Sequence, residues 1–150
     1  EFAREPEKWR PATRESADHS LPYVIAAVLI DGGFSEEIYA EERLHDARIR
    51  QLIDKIEVKV DAQFTSQFPQ RMPCRIEITT RNGEPLVAAI DYPSGHGKKP
   101  MTDHEISAKF RGLAQRVLPQ ASITRALDAL WTLDTATNLD AIFEAVKTGG

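Results

Sequence analysis

Five polar side chains fall within ten residues near the start of the chain: Arg14, Asp18, His19, Ser20 and Tyr23. A neutral histidine can accept or donate a proton, and a nearby phenol can protonate a leaving group or stabilise a developing oxyanion. His19 and Tyr23 are therefore candidate catalytic residues, and Arg14 and Ser20 are candidate substrate-binding residues. The alternative is a helix cap without chemistry, because serine and aspartate are preferred capping residues.

A second polar group lies in the segment DYPSGHGKKPM at residues 91–101, which contains His96, Lys98 and Lys99. These three side chains are candidate substrate-binding residues, because they offer positive charge to a carboxylate or phosphate. Gly95 and Gly97 allow close approach of the backbone to such a ligand. The alternative is a solvated surface turn, since glycine and proline mark any exposed loop.

The chain carries little that could hold a metal. Cys74 is its one cysteine, which excludes an internal disulfide and any site built from several thiolates of this chain. The HExxH spacing of a zinc protease is absent. We therefore predict no metal site, an inert, partly buried thiol at Cys74, and a reducing, cytoplasmic setting.

The overall composition bounds the function further. A chain of 150 residues with 41% hydrophobic content can bury one core, and a net charge of −4 argues against a nucleic-acid or anionic-membrane surface. The apolar run VIAAVLI is too short to cross a bilayer. Because the chain opens on Glu1 without a methionine, we expect it to be part of a longer protein.

That apolar run predicts a buried helix directly after the first polar cluster. Pro22 places its start, because a proline is best accommodated in the first turn, and Ser20 or Asp18 is then the cap. Gly32 can take the left-handed conformation that ends a helix. His19 would then lie at the helix entrance, where unpaired N–H groups attract anions.

The rest of the chain predicts an α+β fold, with a small, mostly antiparallel sheet packed against helices. Alternating apolar residues predict strands at 56–60, 75–79 and 86–90, and Asn82-Gly83 supplies the turn of a hairpin. Residues 62–73 show no period and are predicted to be a loop. Short helices are expected after Ser35 and Asp46, and three longer ones after Thr102, Pro119 and Asn138.

Two stretches taken together resemble the C-terminal region of the MmgE/PrpD family. They are TRESADHSLPYVIAAVLIDG at 13–32 and DYPSGHGKKPMTDHEISAKF at 91–110, and IRQLIDKIEVKVD at 49–61 is similar to the family's passage from helix to strand. The tandem of ADHSxPY and YPxGHxxxP patterns carries the likeness. One departure is Gly97, which stands where many relatives have proline.

The resemblance implies a two-domain enzyme whose active site lies between a large helical domain and a smaller α+β lid. Residues 1–118 would be the lid with its leading helix, and residues 119–150 would be C-terminal helices able to pack on the helical domain. It implies a small polycarboxylate substrate, no metal or other cofactor, and a homodimer at full length. The missing N-terminal helical domain would supply further acid–base residues, so this chain alone is expected to be inactive.

The resemblance thus predicts the C-terminal part of a cofactor-independent lyase acting on citrate-like polycarboxylates, with dehydration of 2-methylcitrate favoured. Decarboxylation and epimerisation pass through the same removal of a proton next to a carboxylate. The residue pattern does not distinguish these two reactions from dehydration. The alternative is a non-catalytic α+β module that binds a small anion or mediates dimerisation, since fold alone does not determine function.

Overall fold

A computed structural model describes residues 5–147, and residues 1–4 and 148–150 lie outside the described part. The chain divides into two compact units, the first ending at Thr65 and the second beginning at Ser66. Within the described range, no helix combines the length and apolar character needed to cross a membrane. The predicted boundary between residues 118 and 119 stays a prediction.

The first unit opens with a 3₁₀ turn (Pro6–Lys8), and two helices follow it, α1 (Arg14–Asp18) and α2 (Leu21–Asp31). Ser20 caps α2 by accepting a hydrogen bond from the Tyr23 N–H at 3.1 Å, and Pro22 occupies the first turn. Gly32 ends α2 with φ of 74°, a conformation that side chains with a Cβ rarely adopt. The predicted start, cap and end of this helix are confirmed.

A 3₁₀ turn (Glu36–Tyr39) and two short helices, α3 (Glu41–Leu44) and α4 (Ala47–Ile53), complete the core of this unit. Helix α2 packs against α4. The buried apolar residues come from every one of these elements: Ala17, Tyr23, Ala26, Ala27, Ile38, Tyr39, Leu44, Ile49 and Ile53. Ile56, the first residue of the strand predicted at 56–60, packs against this core.

Asp46 joins α3 to α4 through three contacts. Its carboxylate caps α4 by accepting from the Arg48 N–H at 2.8 Å, and it pairs with the guanidinium groups of Arg43 and Arg48. Arg43 also pairs with Asp31 at the end of α2. The hydrogen bond from the Arg48 side chain is the largest cause that lowers the pKa of Asp46, from 3.8 to about 2.

Replacing Asp46 with asparagine removes the charge but keeps the cap, since asparagine caps as well as aspartate. A carboxylate whose pKa is depressed in the folded state stabilises it above the unfolded pKa and loses that effect as the pH falls. Because the Arg48 partner is 70% exposed and water screens the pair, we expect Asp46→Asn to lower the free energy of unfolding by about 1 kcal/mol at pH 7. Denaturant unfolding at pH 7 and pH 2 tests this, and an equal loss at both pH values would contradict it.

The sheet has two antiparallel strands, β1 (Cys74–Thr79) and β2 (Pro85–Ile90), in a register that places Ile76 opposite Ala88. The predicted hairpin is confirmed, and Gly83 in its turn has φ of 82°. The third strand predicted at 56–60 is wrong: no strand forms there, and Val60 is 75% exposed. An alternating pattern becomes a strand only where a neighbouring strand supplies hydrogen bonds.

The loop predicted at 62–73 is wrong in its first half. Residues Ala62–Gln67 form helix α5, whose first N–H groups donate to the carboxylate of Asp61. None of its residues is buried. A helix without a buried face lacks the repeating apolar positions by which a helix is recognised in a sequence. Capping by Asp61, rather than packing, defines where this helix begins.

Three helices follow in the second unit: α6 (Asp103–Ala114), α7 (Gln120–Trp131) and α8 (Asp140–Val146), of which α8 is as short as α4. The predicted capping box of Thr102 and Glu105 is confirmed. Leu118, Ile123 and Leu127 form the small core of this unit, with Phe110 and Ala114 packed on it. Helices, a hairpin and this core confirm the predicted α+β class.

Candidate active site

A cavity of about 330 Å³ lies in the first unit, beside α1 and the turn Glu36–Tyr39. Its lining combines two basic side chains, three acidic ones and two aromatic rings: Arg14, His19, Glu15, Asp18, Glu36, Phe34 and Tyr39. Of the sequence-predicted site residues, the structure brings Arg14 and His19 together here. Ser20 and Tyr23 do not line this cavity.

His19 follows α1 directly and precedes the cap of α2, so two helix ends position its backbone. Its Nδ1 lies 3.0 Å from the backbone carbonyl oxygen of Glu15. A carbonyl can only accept a hydrogen bond, so the Nδ1 atom carries the proton. In the neutral ring Nε2 then holds the lone pair, which makes His19 a proton acceptor.

Ser20 and Tyr23 belong to the core rather than to an open surface. The Ser20 hydroxyl is buried and donates to the carbonyl of Lys8. The Tyr23 side chain is 1% exposed, and its hydroxyl donates to the carbonyl of Ile38. Burial raises the pKa of this phenol. The substrate-binding role of Ser20 and the catalytic role of Tyr23 stay predictions.

Tyr39 is a cavity residue that sequence analysis did not select. Burial is the largest cause that raises the pKa of its phenol to about 12, and the negative charge of Asp18 acts in the same direction. The Arg14 guanidinium lies 5.8 Å from the centre of the Tyr39 ring, and Phe34 meets the same ring edge-on at 6.1 Å. In the sequence, Tyr39 has the spacing of an apolar residue in a short helix, so no pattern marked it as a site residue.

The charges of this cavity are unevenly matched. Three carboxylates face one guanidinium, and Arg14 already pairs with Glu36 at 3.2 Å. A polycarboxylate bound here would compete with Glu36 for Arg14, and further positive charge would have to come from outside the lining residues.

The loop at 91–101 is a tight turn held by its own backbone. Gly95 N–H donates to the Lys99 carbonyl at 2.9 Å, and Lys99 N–H donates to the His96 carbonyl at 2.7 Å. Tyr92 stacks on the His96 ring with the ring centres 4.8 Å apart. Because these backbone groups are engaged, the loop offers a ligand mainly the side chains of His96, Lys98 and Lys99.

His96 is held in the opposite tautomer from His19. The backbone N–H of Lys98 donates to His96 Nδ1 at 3.1 Å. A backbone N–H can only donate, so Nδ1 is the accepting nitrogen and the neutral ring carries its proton on Nε2. His96 is therefore arranged to donate a hydrogen bond from Nε2, as binding of a carboxylate oxygen requires.

The two glycines of this loop allow a matched test of its geometry. Gly95 has φ of 87°, where a Cβ is strained, whereas at Gly97 a Cβ would meet open space. We expect Gly95→Ala to cost about 1–2 kcal/mol and to speed hydrogen exchange at the Lys99 amide about tenfold or more. Gly97→Ala should leave that exchange rate unchanged, and equal rates in the two variants would contradict the prediction.

Among residues 5–147, no three His, Cys, Asp or Glu side chains are grouped so that they could hold a metal ion. Cys74 is a free, half-buried thiol at the start of β1. In the first unit, His19 and the guanidinium of Arg14 line the same cavity.

The structure thus places a histidine with an accepting Nε2 at the wall of a charged cavity, in a chain of the α+β class. Residues 3–133 match the model of the MmgE/PrpD C-terminal domain, which covers most of the chain. The chain belongs to the MmgE/PrpD family.

Individual relatives agree with this assignment. Over 84% of its length the chain is 30% identical to the 2-methylcitrate dehydratase of Salmonella typhimurium, covering 26% of that protein. Over 91% of its length it is 24% identical to human cis-aconitate decarboxylase, covering 28% of that protein. An alkylcitrate dehydratase of Talaromyces stipitatus is 29% identical over 75% of the chain. The chain thus spans about a quarter of the length of the curated relatives it matches.

Proposed function

We propose that this chain is the C-terminal part of a cofactor-independent lyase that dehydrates 2-methylcitrate, with His19 as the base. The observation that carries the proposal is the contact between His19 Nδ1 and the Glu15 carbonyl, which leaves Nε2 as the accepting nitrogen of a cavity-lining ring. A base in this state can remove a proton from the carbon next to a substrate carboxylate.

In this reaction the electron pair of the broken C–H bond forms the new carbon–carbon double bond. The hydroxyl on the neighbouring carbon leaves and, once protonated by an acid, departs as water. Negative charge builds up on the substrate carboxylate during proton removal, so cationic groups near it lower the barrier. We propose Arg14 and, in the second unit, His96, Lys98 and Lys99 as groups that bind substrate carboxylates.

The choice of dehydration rests on the relatives' names and identities. The Salmonella protein, named for 2-methylcitrate, is 30% identical to this chain, and human cis-aconitate decarboxylase is 24% identical. This difference supports dehydration of 2-methylcitrate. A cytoplasmic location and a homodimer at full length stay predictions.

The test measures turnover by the protein at its full natural length. Purified enzyme is offered 2-methylcitrate, a longer alkylcitrate and cis-aconitate separately, and formation of the unsaturated product or release of carbon dioxide is followed. We expect the highest kcat/KM with 2-methylcitrate. If the enzyme turns over cis-aconitate and neither of the other two substrates, the proposed reaction is decarboxylation instead of dehydration. Binding of citrate with no turnover of any substrate would instead favour a non-catalytic anion-binding module.

Glu36 gives a second measurement on the same site. It holds Arg14 at 3.2 Å, so a substrate carboxylate must displace it or share the guanidinium. Removing this competing charge should strengthen substrate binding. We expect Glu36→Gln to lower KM about twofold to fivefold, since exposed ion pairs contribute up to about 1 kcal/mol. A raised KM would show that Glu36 positions Arg14 for the substrate.

We also propose that the missing helical domain covers the second unit's apolar surface. Helices predicted to bury one apolar stripe leave large side chains exposed, including Val117, Trp131 and Phe143 at 68%, 46% and 60%. Patches of this kind mark interaction sites on soluble proteins. The relatives are about three times as long as the chain, so they contain enough additional polypeptide to supply such a cover.

A further inference from the structure

The outer edge of β2 has no strand beside it within residues 5–147, because the sheet there consists of β1 and β2 alone. All six residues of β2 are exposed, and none of them is charged. We propose that this edge pairs with the same edge of a second copy of the chain, in antiparallel orientation and centred on Ala88. The two hairpins then form one continuous sheet.

The backbone groups of Val87 and Ala89 point away from β1. Hydrogen-bonded and non-bonded residue pairs alternate along an antiparallel ladder. At the turn, Thr80 N–H donates to the Glu84 carbonyl at 3.0 Å, so the next pair in the register, Thr79 and Pro85, is a non-bonded one. This suits a proline, which has no N–H to donate. By the same alternation, Val87 and Ala89 direct their N–H and carbonyl groups outward.

Antiparallel pairing centred on Ala88 matches these outward groups with one another. Val87 then lies opposite Ala89 of the second copy, so each outward N–H meets an outward carbonyl. Pro85 lies opposite Asp91 of the second copy, whose carbonyl already accepts from the Met72 N–H at 3.0 Å and needs no donor from proline. The edge is thus self-complementary, as an interface across a two-fold axis requires.

The side chains along the edge are compatible with the same register. Leu86 lies opposite Ile90 of the second copy, and these side chains are 50% and 43% exposed in the single chain. Apolar residues directly opposite each other stabilise an antiparallel pair, whereas like charges in that position destabilise it. Because β2 has no charged residue, pairing removes apolar surface from water without opposing like charges.

The other edge of the hairpin, along β1, is less suited to such pairing. Arg75 and Glu77 form an exposed ion pair there at 2.8 Å. Charged side chains on an edge strand discourage association with another strand. Alternate residues of β1 are also half-buried, whereas every residue of β2 is exposed. These differences favour β2 as the paired edge.

The experiment is disulfide cross-linking of the protein at its full natural length, in a Cys74→Ser background that also measures any cross-linking by other cysteines. Ala88→Cys places a cysteine opposite its own copy in a non-bonded pair, where the Cα atoms are about 4.5 Å apart, within the range that a disulfide requires. Ala89→Cys is the matched control, because residue 89 lies opposite residue 87 of the second copy. We expect the covalent dimer to form about tenfold or more faster with Ala88→Cys.

A pair of charges tests the register independently. Val87→Lys, added to Ala88→Cys, should slow cross-linking about tenfold, because a lysine on an edge strand hinders pairing. Adding Ala89→Glu as well places a carboxylate opposite that lysine and should restore most of the rate. Glu77 and Arg75 lie opposite these two positions within one hairpin, so both substitutions are compatible with the hairpin itself.

Three results would overturn the proposal. Absence of a covalent dimer in Ala88→Cys would show that β2 is not paired with a second copy, as expected if another segment of the same polypeptide covers it. Equal rates with Ala88→Cys and Ala89→Cys would show random collision instead of a fixed register. Failure of Ala89→Glu to restore the rate would contradict pairing centred on Ala88. None of these measurements depends on the reaction proposed for His19.

Discussion

Replacement of His19 by asparagine in the protein at its full natural length is expected to lower kcat for 2-methylcitrate by about 10²–10⁴-fold, the range that a general base contributes. Asparagine keeps a polar side chain of modest size but has no atom that can take a proton from carbon. The His19 ring is exposed and makes its hydrogen bond at the end of a short helix, so folding should change little. Steady-state kinetics with matched thermal unfolding measures both quantities.

His104→Asn is the matched control, because that histidine lies on the exposed first turn of α6 and does not line the cavity. It should retain the rate of the unaltered enzyme. If the kcat of the His19 variant stays within about threefold of the value for the unaltered enzyme, His19 is not the base, because loss of a general base typically lowers the rate much more. The search for a base would then move to residues outside this chain.

Removal of the Tyr23 hydroxyl should have the largest effect on stability. In Tyr23→Phe the carbonyl of Ile38 loses its donor inside the core, which costs about 1–3 kcal/mol of unfolding free energy. Tyr23→Ala leaves a cavity as well and should cost about 3–5 kcal/mol. Denaturant unfolding of the two variants at pH 7 measures these losses, and a stability equal to that of the unaltered protein in Tyr23→Phe would contradict the buried contact.

The Tyr23→Phe variant also distinguishes a structural role of Tyr23 from a catalytic one. A phenol that protonates the leaving group is required in every turnover, so its loss should lower kcat even in fully folded enzyme. A phenol that only binds Ile38 leaves kcat intact at temperatures below unfolding. Kinetics of Tyr23→Phe, corrected for the folded fraction, therefore decides the role predicted for Tyr23.

Elements whose limits depend on local chemistry could be predicted from the sequence. The cap at Ser20, the proline in the first turn and Gly32 at the end define α2 without reference to the rest of the chain. The hairpin around Gly83 is equally local. The strand expected at 56–60 would have needed a partner strand, which the alternating pattern does not reveal. Helix α5 begins at a single capping aspartate, so the apolar pattern did not predict it.

The candidate site likewise contains some residues that the sequence predicts and others that it does not. The spacing of the polar cluster identified Arg14 and His19, which the structure places on one cavity. Tyr39 lines the same cavity because tertiary packing brings it there from a separate element of the chain. The proton position on His19 likewise follows from a backbone carbonyl, which side-chain patterns do not reveal.

The hairpin of the second unit has a practical consequence. All six residues of β2, PLVAAI, are exposed, and none carries a charge. An uncharged, exposed edge strand is a template on which another extended chain can pair. Self-association through this strand is therefore a hazard in handling the purified domain. A lysine at position 87, opposite Glu77 in the register, is the natural place to block it.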